Sequence, residues 1–172
     1  MNNKFTTPDL CDEYGDSIQV ALANYRSYGA IEKFYGQLET VKCPDDNSIV
    51  KEVLAERGYK KVLVIDAGNI NYASMIGDQI ASKAAENKWV GIIVNGYVRD
   101  IEVLKNIPIG VLAKGSVPRK TIKRGLGDRS ADLLFDSVIG RLWHGAHLIG
   151  SCCLEPCKVS RVWPSGGTVL VG

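Results

Sequence analysis

From Val62 to Val138 the chain alternates short, almost wholly apolar runs with helical stretches, and this alternation limits its fold more than any other feature. Val62-Leu63-Val64-Ile65, ending at Asp66, reads as a buried strand. Val90-Gly91-Ile92-Ile93-Val94 reads the same way, with Asn95-Gly96 as its stop signal. Ile109 to Ala113 and Leu133 to Val138 supply two more strands. Between them, Ile80 to Asn87 has helical spacing with Ala81, Ala84 and Ala85 on its packing side, and Ile101 to Lys105 makes a short helix broken before Pro108. Strands alternating with helices argue for βαβ units and an α/β fold.

The flanks fit the same reading. Thr6-Thr7-Pro8-Asp9 starts a helix that runs through Tyr14 and stops at Gly15. Phe34 to Cys43 alternates in its second half as a half-buried strand does. Asp45-Asp46-Asn47-Ser48 caps a helix bearing Ile49, Val50, Val53 and Leu54 and ended by Gly58. Lys114 to Asp128 is a loop region rich in Gly, Lys and Arg, in which Arg119 to Arg129 reads as a solvated face near which an anionic partner could sit. Cys11 and Cys43 lie in apolar patterns and read as core thiols.

Composition narrows the function classes. At 172 residues and 45% apolar, the chain can bury one sound core. Its 21 basic and 19 acidic residues nearly cancel, and the basic clusters are short and lack interleaved aromatics, so no broad nucleic-acid face is expected. No run approaches the ~20 apolar residues of a membrane span, and Met1 to Pro8 lacks the apolar stretch of a signal peptide. Five Cys form no even framework, which fits a reducing compartment, and a cytoplasmic location is expected.

One constellation carries chemistry. Asp78 opens the helix over Ile80–Asn87, and Arg99-Asp100 follows the strand at Val90–Val94, at the carboxyl end where α/β sheets bind ligands. If Asp78 lies near that exit, the three side chains share one crevice. Amides of the first helical turn could then hold a carboxylate, and Asp100 could ligate Mg²⁺ or Mn²⁺ with waters. A structural ion pair between Arg99 and Asp100 is the competing reading.

Gly77-Asp78 followed by Asn95-Gly96-Tyr97-Val98-Arg99-Asp100 resembles the signature of the RraA-like family, which includes 4-hydroxy-4-methyl-2-oxoglutarate aldolases and the regulator of ribonuclease activity A. Asp9-Leu10-Cys11-Asp12, Val41-Lys42-Cys43 with Asp46-Asn47, Val62 to Asp66 and Lys123 to Gly127 match in the same order, covering residues 6–139. The resemblance implies a compact fold related to the swivelling phosphohistidine domain, assembled as a homotrimer with sites between subunits. It implies that Asp100 binds a divalent metal, Mg²⁺ or Mn²⁺, and that Arg99 contacts a 2-oxo acid and stabilises its enolate. Asp78 would reach the metal through water, while the amides from Gly77 through Asp78 and Gln79 to Ile80 grip the substrate carboxylate. The implied reaction is aldol cleavage to pyruvate, with oxaloacetate decarboxylation beside it. The regulator branch implies instead a non-catalytic protein that binds ribonuclease E or its helicase partners.

Two features depart from the pattern. An acid is expected three positions after Asp100, where Val103 stands; Glu102 is one position early and receives no role. Residues 140–172, with both His and three of the five Cys, depart from the usual closing segment and are set apart from the 1–139 domain as a divergent or frame-shifted tail. His144, His147, Cys152, Cys153 and Cys157 are zinc-ligand types, but their spacing matches no standard finger. Trp143 and Trp163 read as packing residues.

Overall fold

The computed structural model describes residues 4–5, 7–21, 25–135, 138–140, 147–151, 157–158 and 168–171. Its elements run β1 (Lys4–Phe5), α1 (Thr7–Tyr14), a 3-10 turn (Gly15–Ser17), β2 (Ile18–Ala21), β3 (Arg26–Ser27), β4 (Lys33–Lys42), α2 (Ser48–Ala55), β5 (Lys61–Asp66) and β6 (Ser74–Ile76). They continue with α3 (Asp78–Glu86), β7 (Gly91–Val98), α4 (Ile101–Leu104), β8 (Gly110–Ser116), β9 (Asp128–Arg129), β10 (Leu133–Phe135), β11 (Val138–Gly140), β12 (His147–Ser151), β13 (Cys157–Lys158) and β14 (Thr168–Val171).

A ten-stranded sheet in the order β2-β14-β12-β4-β5-β7-β8-β3 dominates, with β6 added on β7 and β9 on β4. Strands β4, β5, β7 and β8 are parallel, with Lys42 opposite Asp66, Asp66 opposite Asn95, and Val98 opposite Ser116. Their carboxyl ends therefore open on one edge of the sheet. Both faces are buried, which explains the unbroken apolar runs. Leu63, Ile65, Ile92, Val94 and Val111 pack toward α2, α3 and α4, meeting Val53, Leu54, Ala81, Ala84 and Leu104. Val62, Val64, Ile93 and Leu112 turn to the opposite face, with Tyr25, Phe34, Leu38 and Leu133. Phe34 lies flat across Gly91 and Gly110, where any β-carbon would collide with its ring.

Three expectations are corrected. Asn95-Gly96 does not end its strand, because β7 runs on to Val98. Asn95 instead turns its amide inward, where Nδ2 donates to Asp66 Oδ1 at 2.8 Å, and β6 supplies a partner for the extension, Ser74 opposite Tyr97. Gly96 is needed there because a β-carbon would come within 2.9 Å of Ala67 Cβ. Leu133 to Val138 is not one strand: β10 and β11 pair antiparallel, Phe135 opposite Val138. Cys43 is fully buried as expected, whereas Cys11 is only half-buried.

Strand β12 pairs antiparallel with β4, and β14 runs parallel to both β12 and β2. His144, Cys152, Cys153, Trp143 and Trp163 lie outside the described residues, as do the side chains of His147 and Cys157. Among the described residues no helix is long and apolar enough to cross a membrane.

Candidate functional site

The site grows from the exit of β7. Arg99 N donates to Ile76 O at 2.9 Å, which ties the end of β7 to the strand that leads into α3. The chain then turns sharply. Asp100 takes the left-handed conformation (φ 57°, ψ 38°) as it caps α4. This geometry costs an L-residue roughly 1–2 kcal/mol, with Asp among the most tolerant, and such strain gathers at functional sites. The turn swings the Asp100 carboxylate back toward α3.

Gly77 caps α3 in an extended conformation open to any residue, so space and not backbone freedom requires glycine here. A β-carbon would lie 2.8 Å from Asp100 Oδ2 and 2.9 Å from Arg99 Nε. Arg99 Nε and Asp100 Oδ2 pair at 3.2 Å, both side chains about one-third exposed, and Asp78 N reaches the same oxygen at 3.4 Å. Asp78 Oδ1 accepts from Gln79 N at 2.7 Å, placing its negative charge at the positive end of the α3 dipole. Asp78, Arg99 and Asp100 thus meet in one corner.

The corner opens into a cavity of about 1050 Å³, whose wall includes Gly77, Asp78, Gln79, Ile80 and Arg99. Asp100 stands behind Arg99 and Gly77 and is not part of that wall. The amides of Asp78 and Gln79 are engaged by the carboxylates of Asp100 and Asp78, so an incoming carboxylate would replace those acceptors. Glu102 points elsewhere and pairs with Lys105, and Val103 is half exposed. Asp66 accepts from Asn95 and from Gly68 N, and the Asp66–Asn69 segment does not line the cavity.

The remainder of the wall is an arm the sequence reading treated as solvated loop. Arg119, Lys120, Thr121 and Lys123 line it from the segment after β8, facing Asn47 and Lys51 of α2 and Lys83 of α3. Two anchors hold that segment. Ser74 donates from both N (2.8 Å) and Oγ (3.0 Å) to Arg119 O at one end. At the other, the buried Asp46 carboxylate accepts from Arg124 N at 2.6 Å and Leu126 N at 3.0 Å, while its second oxygen accepts from Ser48 N at 2.7 Å. Burial pushes the Asp46 carboxyl up, but these donors outweigh it and hold the group well below the usual carboxylate range.

The donor set bears on a metal. Among the described residues no three His, Cys, Asp or Glu side chains cluster in a way that could hold an ion. One partly exposed carboxylate with a second nearby is the set with which Mg²⁺ is usually held, water and substrate oxygens filling the octahedron. Asp100 and Asp78 fit that habit.

Comparison with known proteins agrees with this architecture. The sequence profile of the RraA-like family, described as Aldolase/RraA, matches residues 7–149. A Hahella chejuensis protein that carries the provisional name 4-hydroxy-4-methyl-2-oxoglutarate aldolase is 43% identical over 82% of this chain and 86% of its own length. A Geobacillus kaustophilus structure described as an S-adenosylmethionine: 2-dimethylmenaquinone methyltransferase superposes with TM-score 0.82 at 34% identity, covering 86% of this chain and 91% of that one. The Thermus thermophilis RNA-processing inhibitor RraA gives TM-score 0.80 at 33% identity, over 87% and 89% of the two chains. Three activities named on one fold show why function must be argued from the site.

Proposed function

Since the chain belongs to the RraA-like family and its relatives are named as aldolases, we propose that it is a divalent-metal-dependent lyase cleaving 4-hydroxy-4-methyl-2-oxoglutarate into two molecules of pyruvate, with oxaloacetate decarboxylation as a side activity. The observation that carries the reading is the convergence of Asp78, Arg99 and Asp100 at the mouth of a largely cationic cavity. Cleavage breaks the C3–C4 bond, releases the C4 hydroxyl proton as that carbon becomes a ketone, and leaves the electron pair as a pyruvate enolate, which takes a proton at C3.

Asp100 would hold Mg²⁺ or Mn²⁺ with Asp78 bonded through water, and such an ion supplies Lewis acidity at the 2-oxo group. Arg99 adds fixed positive charge where the enolate oxygen develops, already oriented by its bond to Asp100. The first turn of α3, from Gly77 to Ile80, holds the C1 carboxylate once the Asp side chains yield their amides. No His or Lys lies within 70–82 or 84–104 except Lys88, outside the cavity wall, so a water in the corner moves the C4 proton. The working assembly is a homotrimer with sites between subunits.

The test is pyruvate release from 4-hydroxy-4-methyl-2-oxoglutarate with Mg²⁺ or Mn²⁺ and after chelation. Wild type is expected to turn over only with metal, and Asp100→Ala to be inactive. Metal-independent turnover, or none in wild type, overturns the reading. The likeness to the RNA-processing inhibitor favours a second role, binding ribonuclease E or its helicase partners. Failure to co-purify with ribonuclease E would remove it.

A further inference from the structure

The basic arm of the cavity holds two oxygens that the protein leaves unused. Thr121 is 5% exposed and Asn47 9% exposed, both line the cavity, and neither Thr121 Oγ1 nor Asn47 Oδ1 has a hydrogen-bond partner. An orphaned buried polar atom costs about 1–3 kcal/mol, so two in one wall call for a ligand. The Asn47 amide is oriented: Nδ2 donates to Met75 O at 3.0 Å, which leaves Oδ1 as a fixed acceptor. Around them stand Lys51, Arg119, Lys120 and Lys123, none of which is paired with a carboxylate among the described residues.

We propose that this arm is a subsite for an α-hydroxycarboxylate, the end of the substrate remote from its 2-oxo group; the proposal rests on the 2-oxo acid reading above. Cationic side chains and the Thr121 hydroxyl take the carboxylate. Donors alone would suit any anion, phosphate included. The Asn47 acceptor beside them selects a ligand that brings a donor of its own, and a hydroxyl on the carbon bearing the carboxylate supplies it. The cavity, at the upper end of the range that holds drug-sized molecules, has room for both ends of a dicarboxylic acid. The corner binds what all 2-oxo acids share, and the arm reads what distinguishes a 4-hydroxy diacid.

Calorimetric titration of the full chain with malate, succinate, butyrate and inorganic phosphate tests this without turnover. Malate is expected to bind about tenfold tighter than succinate, the discrimination one satisfied hydrogen bond gives, with butyrate and phosphate weaker still. Lys51→Met, a change at an exposed position, and Thr121→Val should each weaken malate about fivefold or more, and Asn47→Ala should bring the malate-to-succinate ratio near one. Equal affinity for malate and phosphate, or wild-type malate affinity in both Lys51→Met and Thr121→Val, overturns the proposal. Because Lys51 is exposed, its result stands even where Asn47→Ala fails to fold. Malate bound in the expected order by a protein that releases no pyruvate upholds the subsite and refutes the lyase; pyruvate release without that order does the reverse.

Discussion

The two ends of the cavity are built on opposite principles. At the corner, Arg99, Asp100 and Asp78 nearly cancel one another, and their positions are set by strand ends, a left-handed residue and a glycine that admits no side chain. In the arm, cations go uncancelled and two buried oxygens go unused. A self-neutralised constellation stays rigid without ligand, as chemistry requires. A field of one sign attracts an anion and tolerates variation in where it rests. Reaction and selection are thus assigned to regions with different physical tolerance.

The largest test of that contrast is Arg99→Ala. Removing a fixed charge at a developing oxyanion costs about 10²–10³ in kcat, and pyruvate-release kinetics should show the loss in kcat more than in KM. A pure KM effect would move Arg99 from reaction to selection. Gly77→Ala should follow, since its β-carbon displaces both Arg99 and Asp100; an error near 1 Å costs about 100-fold, and the melting temperature should barely move. Retained activity in that variant would mean the corner is not rigid.

Asp46→Ala attacks the arm from behind. Three amide donors lose a buried charged acceptor, so about 2–3 kcal/mol of stability should go, read by denaturant unfolding. The effect has a pH signature. A carboxyl held below its ordinary value contributes stability that is fully present above the unfolded value near ~4 and is lost as pH falls through the folded value. The gap between wild type and Asp46→Ala should therefore narrow below pH ~4, and a constant gap would show that charge is not what the amides hold. The smallest effect is ionic: raising salt from about 0.05 M to about 0.3 M should raise KM for a diacid about threefold and leave kcat alone. A flat KM would mean that the arm's charge contributes nothing to capture.

The corner was legible in the sequence and the arm was not, for a reason that lies in chain distance. Arg99-Asp100 are neighbours, and Gly77-Asp78 belong to the adjoining βα unit, so local spacing brings them together. The arm takes Lys51 from one helix, Lys83 from another and Thr121 from a loop, and no local pattern links them; a lone Thr between basic residues looks like solvated surface. Asn95-Gly96 misled because turn propensity was read without the partner strand: β6 and Asp66 satisfy what a turn would have satisfied. For β10 and β11, Asp136-Ser137 between apolar halves was the turn signal that could have split them. The helices and parallel strands were readable because both sheet faces are buried, and apolar runs then report burial directly.

The double anchorage of the segment from Arg119 to Leu126 has a bearing on how such an enzyme diversifies. Ser74 and Asp46 grip only its backbone, through Arg119 O, Arg124 N and Leu126 N, so the path of the chain there does not depend on which side chains it carries. Residues between the anchors can be exchanged, by mutation or by design, while the frame that presents them persists. A protein so arranged can acquire a new preferred acid without first finding a new way to fold.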